Sequence, residues 1–496
     1  MDVIAKARHT LRPHRSYVVK LTLPVPKGTF IPPTSTLPLA IKDLNGVVLR
    51  TNVDAVSFYP DAKTDGADVV ELQARISNPD RRTDEVELEI VQHEQSRVRP
   101  RIEQSAFDIL RSQDVVLKAK DVFDNEYTAV LSGLDRETFS IEKYGPASIE
   151  LVRHVHLTPD SLAGPEALDR LLGVHVVWKV WDRDKVLGID LHVHNGDSGL
   201  TDNAPNDIVY FKSLELWVPE EYQLIHKDLD PAIGDVDFDE GYRKYELIKK
   251  LDGGKMNAIR QRGAFVRRFT ITPGVTIRRA KTYAENQNLA FCKEEGGLWS
   301  WWSTGRWGTT AIKLPPMPYA EPVAREYFDD RYESIRESLR TGEAGEWGYQ
   351  TPALGYAKPW GVPYQGMTGG EGISFVDGTL VGQAASVNGY NMWDLEFRMN
   401  LDRMPVGIWN EDGRHTQVEE WLRENDDGDL YLPDTFYHRP KAQGDMFGFS
   451  DADDTHVLYV EREGLEPGYQ EELFNFQSHD LQHYSRWLRV MRPLRS

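Results

Sequence analysis

Two His-x-His pairs are the first places where this sequence could do chemistry: His154 with His156, and His192 with His194. Each pair sits in an alternating run, so both members fall on one face of a strand, within reach of a single metal ion. A site built from imidazoles needs at least a third ligand, and nothing adjacent in the sequence supplies one. No metal and no other cofactor is therefore assigned. Near the C-terminus, Ser478 reads as the N-cap of a helix whose spacing of four brings His479 and His483 to one face, with Tyr484 and Arg486 close by. Those four side chains could abstract a proton next to a carboxylate, a base taking the proton and a cation holding the developing enolate. Beside Trp487 and Leu488 the same histidines also read as packing residues.

A second kind of candidate is aromatic. Trp299, Trp301, Trp302 and Trp307 crowd a stretch of Gly and Ser that ends in the Pro-rich break Leu314-Pro-Pro-Met-Pro318. Trp347, Tyr349, Trp360 and Tyr364 lie in a longer Gly- and Pro-rich segment that forms no regular element. Flat rings in such loops suit a binding surface, where they stack on the C–H face of a sugar or dock against a partner protein; they also suit a plug at one end of a sandwich. The acidic clusters at Asp426, Asp427 and Asp429 and at Asp451, Asp453 and Asp454 lack the spacing of a calcium loop and read as solvated turns.

The elements that must hold these residues are strands. From Leu172 to Pro219 three runs follow one another: Val174, Val176 and Trp178; then, after the turn Asp182-Arg183-Asp184, Leu187, Ile189, Leu191 and Val193; then Ile208 to Trp217. Their period of two predicts one antiparallel sheet with an oily face and a wet face. Upstream, a basic lead-in (Lys6, Arg8, His9, Arg12, His14, Arg15) reads as a solvated arm or a docking strand. Tyr17 to Leu23 reads as a strand, and Asn45-Gly46 between two alternating runs predicts a hairpin. Further on, Tyr242 to Lys250 reads as a short helix, Ala264 to Ile271 and Val275 to Arg279 as strands, and Tyr327 to Leu339 as a helix closed by Gly342. The predicted fold is mostly β. A small N-terminal β-barrel or sandwich (1–140) precedes a large antiparallel β-sandwich (141–320), and 321–496 continues it with long aromatic loops, few short helices and a C-terminal helix.

Composition narrows the class. A chain of 496 residues with 40% hydrophobic and 27% charged residues is globular and long enough for two or three domains. Its net charge of −20 repels phosphate backbones and anionic lipids, which argues against a nucleic-acid partner. The single cysteine, Cys292, makes no internal disulfide and no cysteine-cage zinc site. The N-terminus carries no apolar export region and no apolar run is long enough to span a membrane, so synthesis in the cytoplasm without a signal peptide is expected.

Three short segments carry a family resemblance. Leu23-Pro-Val-Pro-Lys-Gly28, Leu39-Ala-Ile-Lys-Asp-Leu-Asn-Gly46 and Phe58-Tyr-Pro-Asp61 follow the order seen in the N-terminal barrel of the exo-acting rhamnogalacturonan lyase family, with Tyr59 where that family has Trp and Ala62 where it has Gly. Tyr144 to Arg153 is similar to the strand entering the family's second domain, and Tyr210 to Pro219 to one of its inner strands. The resemblance implies the barrel and sandwich, and it implies a helical toroid completing the catalytic cleft. One C-terminal helix does not make that toroid. The expectation is thus a structural or adhesion protein of a virion-type or other extracellular particle, with protein subunits and a glycan as partners. The alternative is a polysaccharide lyase cleaving uronate-containing glycans by β-elimination.

Overall fold

A computed structural model describes residues 3–25, 27–28, 39–93, 99–133, 138–195, 209–228, 236–248, 250, 255–259 and 264–292, and beyond these 329–330, 332–333, 336–337, 386–391, 394, 408–409, 415–416 and 457–459. The chain is mostly β, in antiparallel sheets, and among the described residues no sheet closes into a barrel.

The first unit holds β1 (Val3–Thr10), β2 (Ser16–Pro24), β3 (Leu39–Lys42), β4 (Thr51–Phe58), the short helix α1 (Ala62–Asp65), β5 (Ala67–Ser77) and β6 (Glu85–Gln92). β2, β5 and β4 make one sheet; β1, β6 and β3 make another. Alternation points Tyr17, Val19, Leu21 and Leu23 of β2 at Leu88 and Ile90 of β6, giving a shared buried core. The basic lead-in is therefore neither arm nor docking strand: β1 pairs along most of its length with β6, and Lys6 meets Glu87 at 2.7 Å. The Asn45-Gly46 turn forms, with Gly46 at φ +76°. Its hairpin ends after one bridge, Lys42 to Val48, because the chain then crosses to the other sheet as β4.

His9 shows how completely this core satisfies its polar groups. Its Nδ1 lies 2.8 Å from the Leu289 carbonyl, which can only accept, so Nδ1 carries the proton. Nε2 then accepts from the Tyr17 hydroxyl at 2.7 Å, and that oxygen accepts from the Arg12 amide at 2.9 Å.

The second unit is a sandwich of two larger sheets. Helix α2 (Gln104–Arg111) leads into β7 (Val116–Asp121), β8 (Glu126–Val130), β9 (Ser140–Tyr144), β10 (Ser148–His156), β11 (Thr158–Pro159), β12 (Gly173–Trp181), β13 (Leu187–His194), β14 (Val209–Pro219), β15 (Tyr222–His226), β16 (Asp237–Asp239), β17 (Tyr242–Ile248), β18 (Lys255–Ile259) and β19 (Ala264–Pro273). One sheet runs β15-β19-β13-β12-β10-β9. The other runs β11-β8-β7-β14-β17-β16, with β18 beside β14. Val174, Val176 and Trp178 of β12 and Ile189, Leu191 and Val193 of β13 face Leu214, Leu216 and Val218 of β14 across the core. The third run of the Leu172–Pro219 stretch thus lies opposite the first two rather than beside them. The 196–208 connection, longer than a hairpin loop, permits that change of sheet.

Two local expectations are corrected. Tyr242 to Lys250 was expected to be helical, but β17 is a strand. Glu240 and Gly241, at φ +46° and +86°, form the two-residue turn that returns it against β16, and Tyr245 and Leu247 alternate inward. Val275 to Arg279 was expected to be a strand, but a single 3-10 turn passes into α3 (Ile277–Ala284), whose Ala280, Tyr283 and Ala284 form a buried stripe at helical spacing. In the predicted helix 327–339, residues 329–330, 332–333 and 336–337 are helical. The expected C-terminal helix lies outside the described residues.

The chain then returns to its start. After α3, β20 (Phe291–Cys292) pairs with β1, and Trp181 of β12 stacks on Tyr283 of α3 at 4.0 Å within the first unit's core.

Two outcomes follow from these cores. Trp178→Ala empties a fully buried site and strands the Leu131 carbonyl that its indole reaches at 2.9 Å, so urea denaturation will show a loss of about 3–5 kcal/mol. Burial holds the His9 pKa down to about 4, so its contribution to stability is complete above pH 6.5 and disappears as the pH falls from 6.5 toward 4. Denaturation midpoints measured across that window will fall more steeply for the native chain than for His9→Gln.

Candidate functional site

The outer face of the six-stranded sheet concentrates polar chemistry. Because Val174, Val176 and Trp178 point into the core, Gly173, His175, Val177 and Lys179 point out. The same parity puts Glu150, His154 and His156 of β10 and Asp190, His192 and His194 of β13 on that face. Register then makes rows. His154 pairs with His175 and His175 with His192; in the next row Gly173 pairs with both His156 and His194. Five imidazoles and one glycine thus occupy a patch two residues deep across three strands.

The rings are in contact. His154 and His175 stack with centroids 4.3 Å apart, His175 and His194 lie at 5.0 Å, and His154 and His194 at 5.5 Å. One ring nitrogen from each of these three falls within 4.8 Å of the other two. His156 packs edge-on against His154 at 4.7 Å, and its Nε2 is 3.4 Å from Arg170 Nη1. Burial, together with neighbouring imidazoles, lowers the pKa of His192 to about 4 and that of His194 to about 3, so both are neutral at pH 7.

Further along the same face the histidines give way to ion pairs. Lys179 meets Asp190 at 2.8 Å, and Arg268 of β19 meets both Asp190 and Asp394. Asp394 also takes Lys227 at 2.5 Å, a pair almost wholly withdrawn from water. At the β9 edge, Lys143 bridges Glu150 at 3.3 Å and Glu71 of β5 at 3.1 Å, and Lys20 of β2 closes on Glu71 at 3.2 Å. Lys20 and Glu71 come from the outward face of the β2-β5-β4 sheet and Lys143 and Glu150 from the six-stranded sheet, so this charged layer lies between the two units. Burial alone would raise the Glu71 carboxyl; Lys20 and Lys143 outweigh it and hold it down to about 2. Asp54 nearby is pushed up to about 6 by burial and by the Glu71 charge. Asn52 spans the same seam, accepting from the Ala147 amide at 2.7 Å and donating to the Ser148 carbonyl at 3.0 Å. A Cβ at Gly145 would strike the Asn52 side chain at 2.3 Å, which explains glycine there.

The opposite sheet carries a different surface. On its outer face Lys118 lies 3.8 Å and Lys244 4.4 Å from the Trp217 ring centroid, with Tyr242 at 5.9 Å. Phe238, 54% exposed, lies under Arg243, and the register of Arg243 with Val218 sets both on the other face of this sheet from Trp217.

The aromatic candidates Trp299, Trp301, Trp302, Trp307, Trp347, Tyr349, Trp360 and Tyr364, and the candidate base and cation set His479, His483, Tyr484 and Arg486, lie outside the described residues. The two His-x-His pairs do come together on one face. The third imidazole that sequence reasoning lacked is His175. The alternation of Val174 and Val176 already turned it outward, but counting equally from the Asp182-Arg183-Asp184 turn would have set it opposite Leu191, one residue short of its partner His192. Trp217 read only as the end of a strand; its cationic neighbours come from strands distant in sequence.

No known protein family matches the chain, and no curated protein does. Among solved structures, two from Enterococcus faecalis are similar over part of the chain. One is a protein in glycosyl hydrolase family 38, with 10% identity and a TM-score of 0.33 over 58% of this chain and 47% of that one. The other is an alpha-mannosidase, with 10% identity and a TM-score of 0.32 over 58% of this chain and 45% of that one. The chain thus spans less than half the length of either. What the structure supports of the rhamnogalacturonan lyase resemblance is the mostly β architecture.

The Asp394 pairs give a measurable consequence. Asp394→Ala leaves Lys227 buried without its carboxylate and will cost about 3–5 kcal/mol in urea denaturation, whereas Lys227→Met combined with Asp394→Leu will recover most of that loss.

Proposed function

We propose that the chain is a structural or adhesion protein of a larger extracellular or virion-type assembly, a β mount whose aromatic surfaces meet a neighbouring subunit or a glycan. The observation that supports this reading most is the junction between the two units. Trp181, Val186, Ala280, Tyr283 and Ala290 from the later part of the chain belong to the first unit's hydrophobic core, β20 completes its sheet, and the remaining seam is filled with ion pairs. An enzyme that closes two domains over a substrate keeps a thin polar junction that can hinge. A mount benefits from the opposite, a joint that transmits load without bending.

The surface around Trp217 gives the mount a place to make contact. A large ring flanked by Lys118 and Lys244, with Tyr242 beside it, presents flat apolar area and directed donors together, the combination that a sugar hydroxyl face or a partner's side chains engage.

Light scattering on the chromatographed chain at rising concentration tests the reading. Defined oligomers are expected, and Trp217→Ala will weaken either that association or retention on an immobilised glycan while leaving the far-ultraviolet spectrum unchanged. A strict monomer without glycan retention overturns the reading. So does absorbance from a new carbon–carbon double bond on incubation with uronate polysaccharides, which would establish β-elimination instead.

A further inference from the structure

We infer that His154, His175 and His194 form a binding site for one divalent transition-metal ion, zinc being the first candidate, on the outer face of the six-stranded sheet. The inference is independent of any role in an assembly.

The argument begins with the scaffold. The three ligands come from β10, β12 and β13, which are hydrogen-bonded neighbours in the interior of a six-stranded sheet, with β9 on one side and β19 and β15 on the other. Ligands on paired strands are held more closely than ligands on loops. His154 and His175 are directly opposite one another, and His194 lies diagonally from His175 because its own partner is Gly173. That glycine is the one member of the patch without a side chain. The position between His156 and His194 is left open, and the rings of His175 and His194 can lean toward it.

Distances fit a site at rest rather than a closed one. The three ring nitrogens lie within 4.8 Å of one another. Zinc-bound imidazoles at about 2.0–2.1 Å from a tetrahedral ion have nitrogens about 3.3 Å apart, so binding draws each ring inward by roughly an ångström, within the reach of side-chain rotation.

Donor chemistry selects the metal. All three ligands are imidazole nitrogens and no carboxylate joins the set, which suits zinc, nickel, cobalt or copper and disfavours calcium and magnesium, ions that require oxygen ligands. His156 is set apart by Arg170, whose guanidinium lies at its Nε2. His192 is farther off, its ring centroid 5.8 Å from those of both His175 and His194. Three protein ligands leave a fourth coordination position for water or for a group brought by another molecule, and His154, on the exposed side of the patch, keeps that position toward solvent.

The test uses the full chain, produced without a polyhistidine tag and stripped with chelator. Calorimetric titration with zinc chloride should give one ion per chain, and cobalt chloride should give the visible absorption of a four-coordinate nitrogen site. His154→Ala, His175→Ala and His194→Ala should each weaken binding by at least about tenfold, the lower end of what losing even an indirect contact to a metal costs. His93→Ala, distant from the patch, should leave binding unchanged. His154 is exposed, so its variant tests the site without endangering the fold; melting curves of the metal-free variants verify this. Absence of saturable binding, or binding that all three variants retain, overturns the assignment.

Discussion

The register of β10, β12 and β13 is the constraint from which the rest of this structure follows. With Val174 opposite Val193 and Val155, most of the apolar members of the three strands share one face and all the histidines share the other. Side chains alternate strictly, so a slip of one residue in any pair would send valines to the outside and histidines into the core. The interior therefore enforces the register, and the register assembles the imidazoles. No histidine contributes to positioning them; their placement is a by-product of the oily face, which is why a polar patch spread over three strands can be well ordered.

The charged layer between the units obeys a different economy. Glu71, Lys20, Lys143, Glu150 and Asp190 are all drawn out of water, and ion pairs so buried gain little over apolar packing of the same volume. What they add is selectivity of docking. A face of β5 carrying Glu71 and Gln73 tolerates only a surface that returns the matching cations, so two sheets with similar outlines can meet in one way.

Much of this was legible in the sequence. The alternation in β12, β13 and β14, the turns at Asp182 and Asn45-Gly46, and the mostly β class all follow from local pattern. The failures were local too. Val275-Thr-Ile is β-branched yet opens a helix, because Pro273 and Gly274 end the strand and Ala280 and Tyr283 find a core to enter. Tyr242 to Lys250 is rich in residues that favour helix, yet a two-residue turn and an unpaired flank of β14 recruit it as a strand. Pairing between distant strands was beyond reach: periodicity says which way a residue points but not which strand lies beside it. That gap hid the assignment of β14 to the opposing sheet, the Lys-flanked Trp217 and the meeting of His154 with His194.

The late pairing of β20 with β1 has a consequence for synthesis. Residues 7 and 8 acquire their outer neighbour only when residues 291 and 292 have left the ribosome, and His9 and Val18 are sealed by Asn288, Leu289 and Tyr283 at the same late stage. The amino-terminal sheet must wait through the production of the whole second sandwich with one edge bare, the state in which nascent strands are most exposed to pairing with a stranger. The charges of Lys6 and Arg8 along that waiting strand are of the kind that discourages such encounters until its own partner arrives.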